Sequence, residues 1–380
     1  MRGPQLPSLA VLAVLAVAAV AAAQAACSRA PLETAGSRVV PDPIPVDAPA
    51  VRRYVAPKAA VPPVIDGRLD DAIWQTAPWS EHFVDIEGRR RPAPGLDTRV
   101  RMAWDDSALY IAAMMEEPDL WGTLTQRDTI IFLNNDFEVF LDPDADTHHY
   151  YELEINALGT VWDLLLERPY RDGGPAVNEW DIRGLRSAVH LEGSINDPSD
   201  GDRGWSVELA LPWRGLGENP PEPGAHWRIN FSRVEWTLDT VDGRYTRRLD
   251  RKTNRPLPEA NWVWSPQYAV NMHMPEMWGV VEFASGSGGI FHPSPDEPVR
   301  WALRRVYYAE RAYHDRYGRY TDDRDRLGLS DMPAGLQLQL DDDGYAAWIG
   351  ALGIREDGRV RRKTEEAEER RTEVKTREPG

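Results

Sequence analysis

Fifteen tryptophans stand against seven phenylalanines in this 380-residue chain. Trp presents a broad flat face and one N–H donor, which suits stacking on ligands as well as packing in a core. The side chains that could line such a ligand are polar rather than basic. With 44 basic and 61 acidic residues the formal charge is −17, so the basic footprint of a nucleic-acid partner is missing. Neutral polar ligands such as sugars fit better. The polar phases of several strand-like segments supply hydrogen-bonding groups: Glu138, Glu152, Glu154, Asn156, Glu208, Arg228 and Asn230, with Phe140 and Trp236 on the same phases. On a concave face these form a wet floor with Arg228 as counter-charge. On a convex face they are a solvated sheet surface.

The loop Asn271-Met272-His273-Met274-Pro275-Glu276-Met277-Trp278-Gly279 is also dense in polar and aromatic groups. Pro275 keeps it from forming a helix. His273 and Glu276 either hydrogen-bond a ligand at the rim or brace the loop internally. Asp142, Asp144 and Asp146 alternate in a turn, a spacing whose oxygens can hold a structural Ca²⁺; the alternative is an acidic turn capped by its own side chains. His148 and His149 point to opposite faces and make a poor metal pair. No Gly-x-Ser-x-Gly elbow, Walker loop or His-Glu-x-x-His is present, so no motif demands a cofactor or assigns a catalytic residue. Paired carboxylates held at a fixed separation keep glycoside hydrolysis open as an alternative.

Short segments with period-two alternation must position these groups. Val100, Met102 and Trp104 alternate in one, and Phe137, Val139 and Leu141 in another. Tyr151, Leu153 and Ile155 oppose Glu152, Glu154 and Asn156. Trp205, Val207, Leu209 and Leu211 form a fourth, and Trp227, Ile229 and Phe231 a fifth. Gly, Asp and Pro turns separate them, so the expected fold is mainly β, an antiparallel β-sandwich. One helix is expected near Leu69–Trp74.

The organisation reads as six parts. Residues 1–26 are a signal peptide, with Arg2 before an apolar run of Leu, Ala and Val. Cys27, the single cysteine, follows directly; the site resembles a lipobox, with Gln24 where Leu or Val is usual. Acylated Cys27 would anchor the chain to the outer membrane or cell surface. Ordinary cleavage would leave it soluble in the periplasm or secreted. Residues 27–50 form a Pro-rich linker, 51–284 the sandwich, and 285–298 a Gly/Ser/Pro linker. A small helix-plus-hairpin unit at 299–354 offers a surface for an envelope partner. Residues 355–380 are a charged tail, disordered or helical.

Four motifs in order resemble the family 9 carbohydrate-binding modules of the DOMON-like sandwich group. They are Val64-Ile65-Asp66-Gly67 with Asp70-Asp71-Ala72-Ile73-Trp74, Val100–Asp106 with Leu109–Ala112, Asn135–Pro143, and Gly204–Trp213. The resemblance implies a sandwich that binds oligo- or polysaccharide without cleaving it, in support of polysaccharide degradation or uptake, sometimes with structural calcium. In that family two aromatic plates hold a terminal sugar. Carried over, Trp264 of Asn261-Trp262-Val263-Trp264 is one plate, with Asn261 and Glu138 at the rim. Phe132, six residues before Glu138, stands where the family has Trp, and Trp121 is the substitute plate. DOMON-like relatives also include haem and structural envelope proteins, for which Met272, His273 and Met274 are the clustered axial candidates. The saccharide reading expects Trp264 and its neighbours to lie open.

Overall fold

Period-two alternation punctuated by tight turns produces nineteen strands among residues 49–342 and 344–364, which the computed structural model describes. The expected signal peptide, Cys27, nearly all of the expected 27–50 linker and the residues beyond 364 lie outside the described residues. In chain order the strands are β1 (Arg53–Ala56), β2 (Val84–Asp85), β3 (Thr98–Trp104), β4 (Ala108–Glu116), β5 (Asp136–Asp142), β6 (Tyr150–Asn156), β7 (Val161–Leu166), β8 (Ala176–Val177), β9 (Arg186–Glu192) and β10 (Gly204–Pro212). They continue with β11 (His226–Glu235), β12 (Leu238–Val241), β13 (Arg244–Arg247), β14 (Ala260–Val263), β15 (Gly279–Phe283), β16 (Leu336–Leu340), β17 (Tyr345–Ile349), β18 (Leu352–Arg355) and β19 (Val360–Arg362). The α-helices are α1 (Ala72–Thr76), α2 (Trp213–Leu216) and α3 (Glu297–Tyr317). None of the described helices is long and apolar enough to cross a membrane.

Two sheets form the sandwich. The larger runs β1-β15-β11-β5-β6-β7-β8, with β14 on the free end of β11 and β2 on β14. The smaller runs β3-β4-β10-β9. Apart from the parallel β1–β15 pair, the ladders of both sheets are antiparallel. Between the sheets lie the apolar phases read from the sequence. Val100, Met102, Trp104, Leu209 and Leu211 from the smaller sheet meet Phe137, Val139, Leu153, Ile155, Ile229 and Phe231 from the larger. Burying this face fixes register, because a slip of one residue would turn each strand's carboxylates inward.

The smaller sheet is covered on its other face too. Ala103, Ala108, Ala112 and Ala210 leave room there for Trp74, Ile65, Leu69 and Ile73. The helix expected near Leu69–Trp74 forms about one turn later, as α1. Glu208 sits inside this contact and accepts hydrogen bonds from the Asp66 N–H (2.9 Å), the Gly67 N–H (2.8 Å) and Trp74 Nε1 (2.6 Å). It therefore anchors the Val64–Trp74 segment and does not join a binding floor. Gly67 has φ +86°, and a Cβ there would come within 2.6 Å of the Val189 and His190 backbone, so only glycine fits.

The C-terminal unit is a helix on a four-stranded meander, β16-β17-β18-β19. Gly318 stops α3 in the left-handed conformation at φ 66°. Strand β19 falls inside the segment expected to be charged tail. Its Arg361 and Arg362 look solvated in sequence, but Val360 and Ile354 bury against Leu303, Val306 and Tyr307. Ala269, Met274 and Met277 of the sandwich join the same cluster, so the unit rests on the loop before β15.

Removing the Glu208 carboxylate strands three donors. Glu208→Ala is expected to lower stability by about 2–3 kcal/mol, read as a drop in urea midpoint at unchanged slope. An unchanged midpoint would show that the Val64–Trp74 segment is held some other way.

Candidate functional site

The register of β14, β11, β5, β6 and β7 lays two rows across the outer face of the larger sheet. One row is Asn261, Val234, Asp136 and Asn156. The next is Val263, Ser232, Glu138, Glu154 and Trp162. Directly opposed residues of an antiparallel pair share a face, so three carboxyls converge. Oxygens of Asp136, Glu138 and Glu154 all lie within 4.8 Å of one another. Glu152, two residues before Glu154, extends the group. Further along the face the character changes. Phe140, Tyr150, Leu164, Leu166 and Val263 are sealed there beneath Ile86, Met272 and Trp278.

Charge cannot persist easily in the carboxyl cluster. Burial, and then Glu138, hold the Asp136 carboxyl well above the usual range. Burial, followed by Asp136, Glu138 and Glu152, does the same to Glu154. Burial and the adjacent Glu138 raise Glu152. Glu138, 5% exposed, is pushed by burial up to about 7, with Ser232 pulling down and Glu259 pushing up. Such groups hold their protons to higher pH than free carboxyls do, and a protonated carboxyl can donate as well as accept. Arg228, expected as counter-charge, does not serve them. Its Nη1 donates to the Trp278 carbonyl (2.9 Å) and its Nη2 pairs with Glu297 at the start of α3.

Half-buried rings border this cluster. Phe132 donates its N–H to Glu154 Oε2 (2.9 Å) and leans on Trp162, with ring centroids 6.5 Å apart and planes tilted 34°. A ring clamped between two faces needs two contacts of roughly 3.5–4 Å each. At 6.5 Å the pair forms a side-by-side platform instead. Tyr170, 52% exposed, lies near enough that, after burial, Glu152 and Glu154 raise its phenol. Trp162, Tyr170 and Glu259 were not singled out in the sequence. Trp162 had a usable signal, since it lies on the outward phase of β7 opposite Glu154.

The other expected residues divide. Asn261 and Phe132 remain half-exposed beside the cluster. Trp264 does not: it is 0% exposed. Its ring lies in the core between Tyr54 (6.4 Å, 85°) and Phe231 (5.9 Å), and its Nε1 donates to Glu81 (3.1 Å). A Cβ on Gly279 would sit 2.3 Å from this indole, so glycine is required there to admit it. The expectation of an open Trp264 plate is overturned, because Trp264 continues the β14 ladder opposite Phe231 and so takes the inward phase of the strand. Trp121, 6% exposed, packs with Val234 and Trp236 and is not a free plate either.

His273 and Glu276 brace the interior. His273 Nδ1 and the Tyr150 hydroxyl lie 2.9 Å apart, and burial then Arg171 hold the imidazole down at about 3. Glu276 would be raised by burial, but Arg171 and then Arg304 override this and hold it at about 2. It also takes the Tyr308 hydroxyl of α3. Met272 packs into the sealed patch and Met274 into the C-terminal cluster, so they share no axial position with His273.

Asp142, Asp144 and Asp146 do come together, with oxygens within 4.8 Å. Most of those oxygens already have donors. The Thr147 N–H reaches Asp142 (3.0 Å), the Asp146 N–H reaches Asp144 (3.1 Å) and the His148 N–H reaches Asp146 (2.6 Å). Arg359 of the C-terminal unit pairs with Asp146. Ca²⁺ wants about six to eight oxygens and would compete with this guanidinium for Asp146, while Asp142 Oδ1 is buried without a donor. The turn is also a socket for the C-terminal unit. Val360 N–H donates to the Asp146 carbonyl (3.1 Å), Thr147 Oγ1 to the Gly358 carbonyl (3.2 Å) and Arg300 Nη1 to the Ala145 carbonyl (2.7 Å).

Two outcomes follow from these placements. Trp264→Ala is expected to cost about 3–5 kcal/mol of folding stability, measured by denaturant melts; a loss confined to ligand binding would contradict its core position. Glu138 has its folded pKa raised, so the stability it contributes is complete below its unfolded value of roughly 4.3 and is lost as pH rises through about 7. Glu138→Gln should therefore gain on the parent protein by about 3 kcal/mol at pH 8.5 relative to pH 4. Parallel pH profiles for the two proteins would contradict this.

Comparison with known proteins gives this geometry a context. The chain is 27% identical over 163 residues to the endo-1,4-beta-xylanase A of Thermotoga maritima, covering 42% of this chain and 13% of that protein. It is 27% identical over 154 residues to the exoglucanase XynX of Acetivibrio thermocellus, covering 40% and 12%. The chain thus spans a small part of the length of these curated relatives. A family 9 carbohydrate-binding module from Caldicellulosiruptor kristjanssonii in complex with glucose superposes with TM-score 0.40 at 17% identity, over 64% of this chain and 100% of that one. A carbohydrate-binding protein of Bacteroides uniformis, so described provisionally, gives TM-score 0.44 at 14% identity, over 62% and 100%. Residues 65–255, which carry the smaller sheet, strands β2, β5, β6, β7, β8 and β11 of the larger one and the carboxyl cluster, match the carbohydrate family 9 binding domain-like family, and the chain belongs to it.

Proposed function

We propose that this chain binds oligo- or polysaccharide without cleaving it, on the polar half of the outer face of the larger sheet. The observation that carries the reading is the half-buried Phe132–Trp162 platform beside Glu138 and Glu154. A pyranose has an apolar face for such rings and hydroxyls for the groups around them. The protonated carboxyls offer both donors and acceptors, and Asn261 and Glu259 stand at the edge. Family membership supports the same reading. The export segment and Cys27 extend it to the cell envelope, where captured glycan would be degraded or taken up.

A glycan array should identify the ligand, and calorimetry with xylo- and cello-oligosaccharides should give its affinity. Phe132→Ala and Trp162→Ala are each expected to weaken binding by about 1–3 kcal/mol, the scale of an aromatic anchor. Binding that ignores both substitutions, or no binding across the array, would sink the proposal. Release of new reducing ends, abolished by Glu138→Gln, would move the chain to the glycosidases.

A further inference from the structure

The connection from β7 to β8 serves two neighbours at once. Tyr170–Asp172 form a single 3₁₀ turn there, and Gly173 closes it in the left-handed conformation at φ 94°. Surface loops are ordinarily mobile. In this one the side chains of Arg171 and Asp172 are buried, whereas Tyr170 beside them stays exposed.

The C-terminal unit grips the buried half of the turn. On α3, Arg311 Nη1 donates to Asp172 Oδ1 (2.8 Å), Arg311 Nη2 donates to the Arg171 carbonyl, and the Tyr307 hydroxyl donates to Asp172. Arg171 Nη2 donates to Glu276 Oε2 (3.0 Å), and Glu276 also takes the Tyr308 hydroxyl. The groups that α3 holds thus belong to the two residues directly after Tyr170.

The exposed half of the turn meets the sheet. The Tyr170 ring lies edge-on to His273, with centroids 4.5 Å apart at 75°. His273 Nδ1 in turn lies 2.9 Å from the Tyr150 hydroxyl. Tyr150, Glu152 and Glu154 share the outward phase of β6. Tyr150 belongs to the sealed patch and Glu154 to the carboxyl cluster, so the ring stands where the two halves of the outer face meet. The electrostatics agree: after burial, Glu152 and then Glu154 act on the Tyr170 phenol.

We propose that Tyr170 is a third ring of the saccharide site and that α3 holds it in place through Arg171 and Asp172. This rests on the reading of the polar half of the sheet as that site. Tyr170 walls the site on the side of the sealed patch, and offers an apolar surface to the C–H groups of a sugar on the Phe132–Trp162 platform. Tyr307 and Arg311 are positioning residues that act through the turn. Fixing a loop before the ligand arrives lowers the ordering cost of binding. The C-terminal unit is therefore a working part of the binding module.

The test is calorimetry on the full chain with the tightest binder among cellotriose, xylotriose and the glycans of an array. Tyr170→Ala is expected to weaken binding about tenfold, the scale of an aromatic anchor, and Tyr170→Phe, which keeps the ring, by less than about twofold. Arg311→Ala is expected to weaken the parent protein about fivefold, but the Tyr170→Ala variant by less than about twofold, the coupling of residues that act through one another. Thermal melts establish that each variant folds. If Arg311→Ala does not, Tyr307→Phe, which removes one donor to Asp172, takes its place. Unchanged binding in Tyr170→Ala where Phe132→Ala still weakens it would overturn the inference and leave the saccharide reading standing. Equal losses from Tyr170→Phe and Tyr170→Ala would overturn the role of the ring, and equal losses from Arg311→Ala in both backgrounds the role of α3. A parent protein that binds none of these glycans would overturn both readings.

Discussion

Four carboxyl groups on one face of two adjacent strands, buried without a facing cation, are the constraint around which the larger sheet is organised. Asp136 and Glu138 on β5 oppose Asn156 and Glu154 on β6, and Glu152 lies beside them. Ionising several of them together in a desolvated patch would cost far more than protonating them. The folded state therefore holds these protons to higher pH than the unfolded chain does. The inner face of the same strands is fully apolar, so the pleat leaves these groups no other side to occupy.

The cations that might have answered that charge are used elsewhere. Arg228 turns to Glu297, and Arg171 is engaged by Glu276 and Asp172. The first pairing reaches α3 directly, and in the second Glu276 and Asp172 also accept from Tyr308, Tyr307 and Arg311 of that helix. Thr147, Asp146 and Ala145 tie the same turn to Gly358, Val360 and Arg300. Several residues with ligand-binding chemistry thus hold the C-terminal unit in place. Buried pairs of this sort need not add much net stability, but removing one partner leaves an uncompensated charge. This makes the junction specific in geometry.

The amino-acid sequence determined the phases of the strands. Val139 and Glu138, or Leu153 and Glu154, must point opposite ways because successive side chains alternate. That was enough for the mainly β sandwich, its inner core and the row containing Glu138 and Glu154. The helix of the C-terminal unit was equally legible, because Gly318 ends it. Strand β19 was not, since its arginines read as solvated until the helix above Val360 is in place. Nor could alternation say what covers the outward phase. Glu208 meets the Val64–Trp74 segment and Glu276 meets Arg171 and Tyr308, while Trp264, opposite Phe231, takes the inward phase and fits there only because Gly279 leaves space. Each of these contacts joins residues far apart in the chain, and whether a polar or aromatic side chain meets water, a ligand or another segment is settled only when those segments pack.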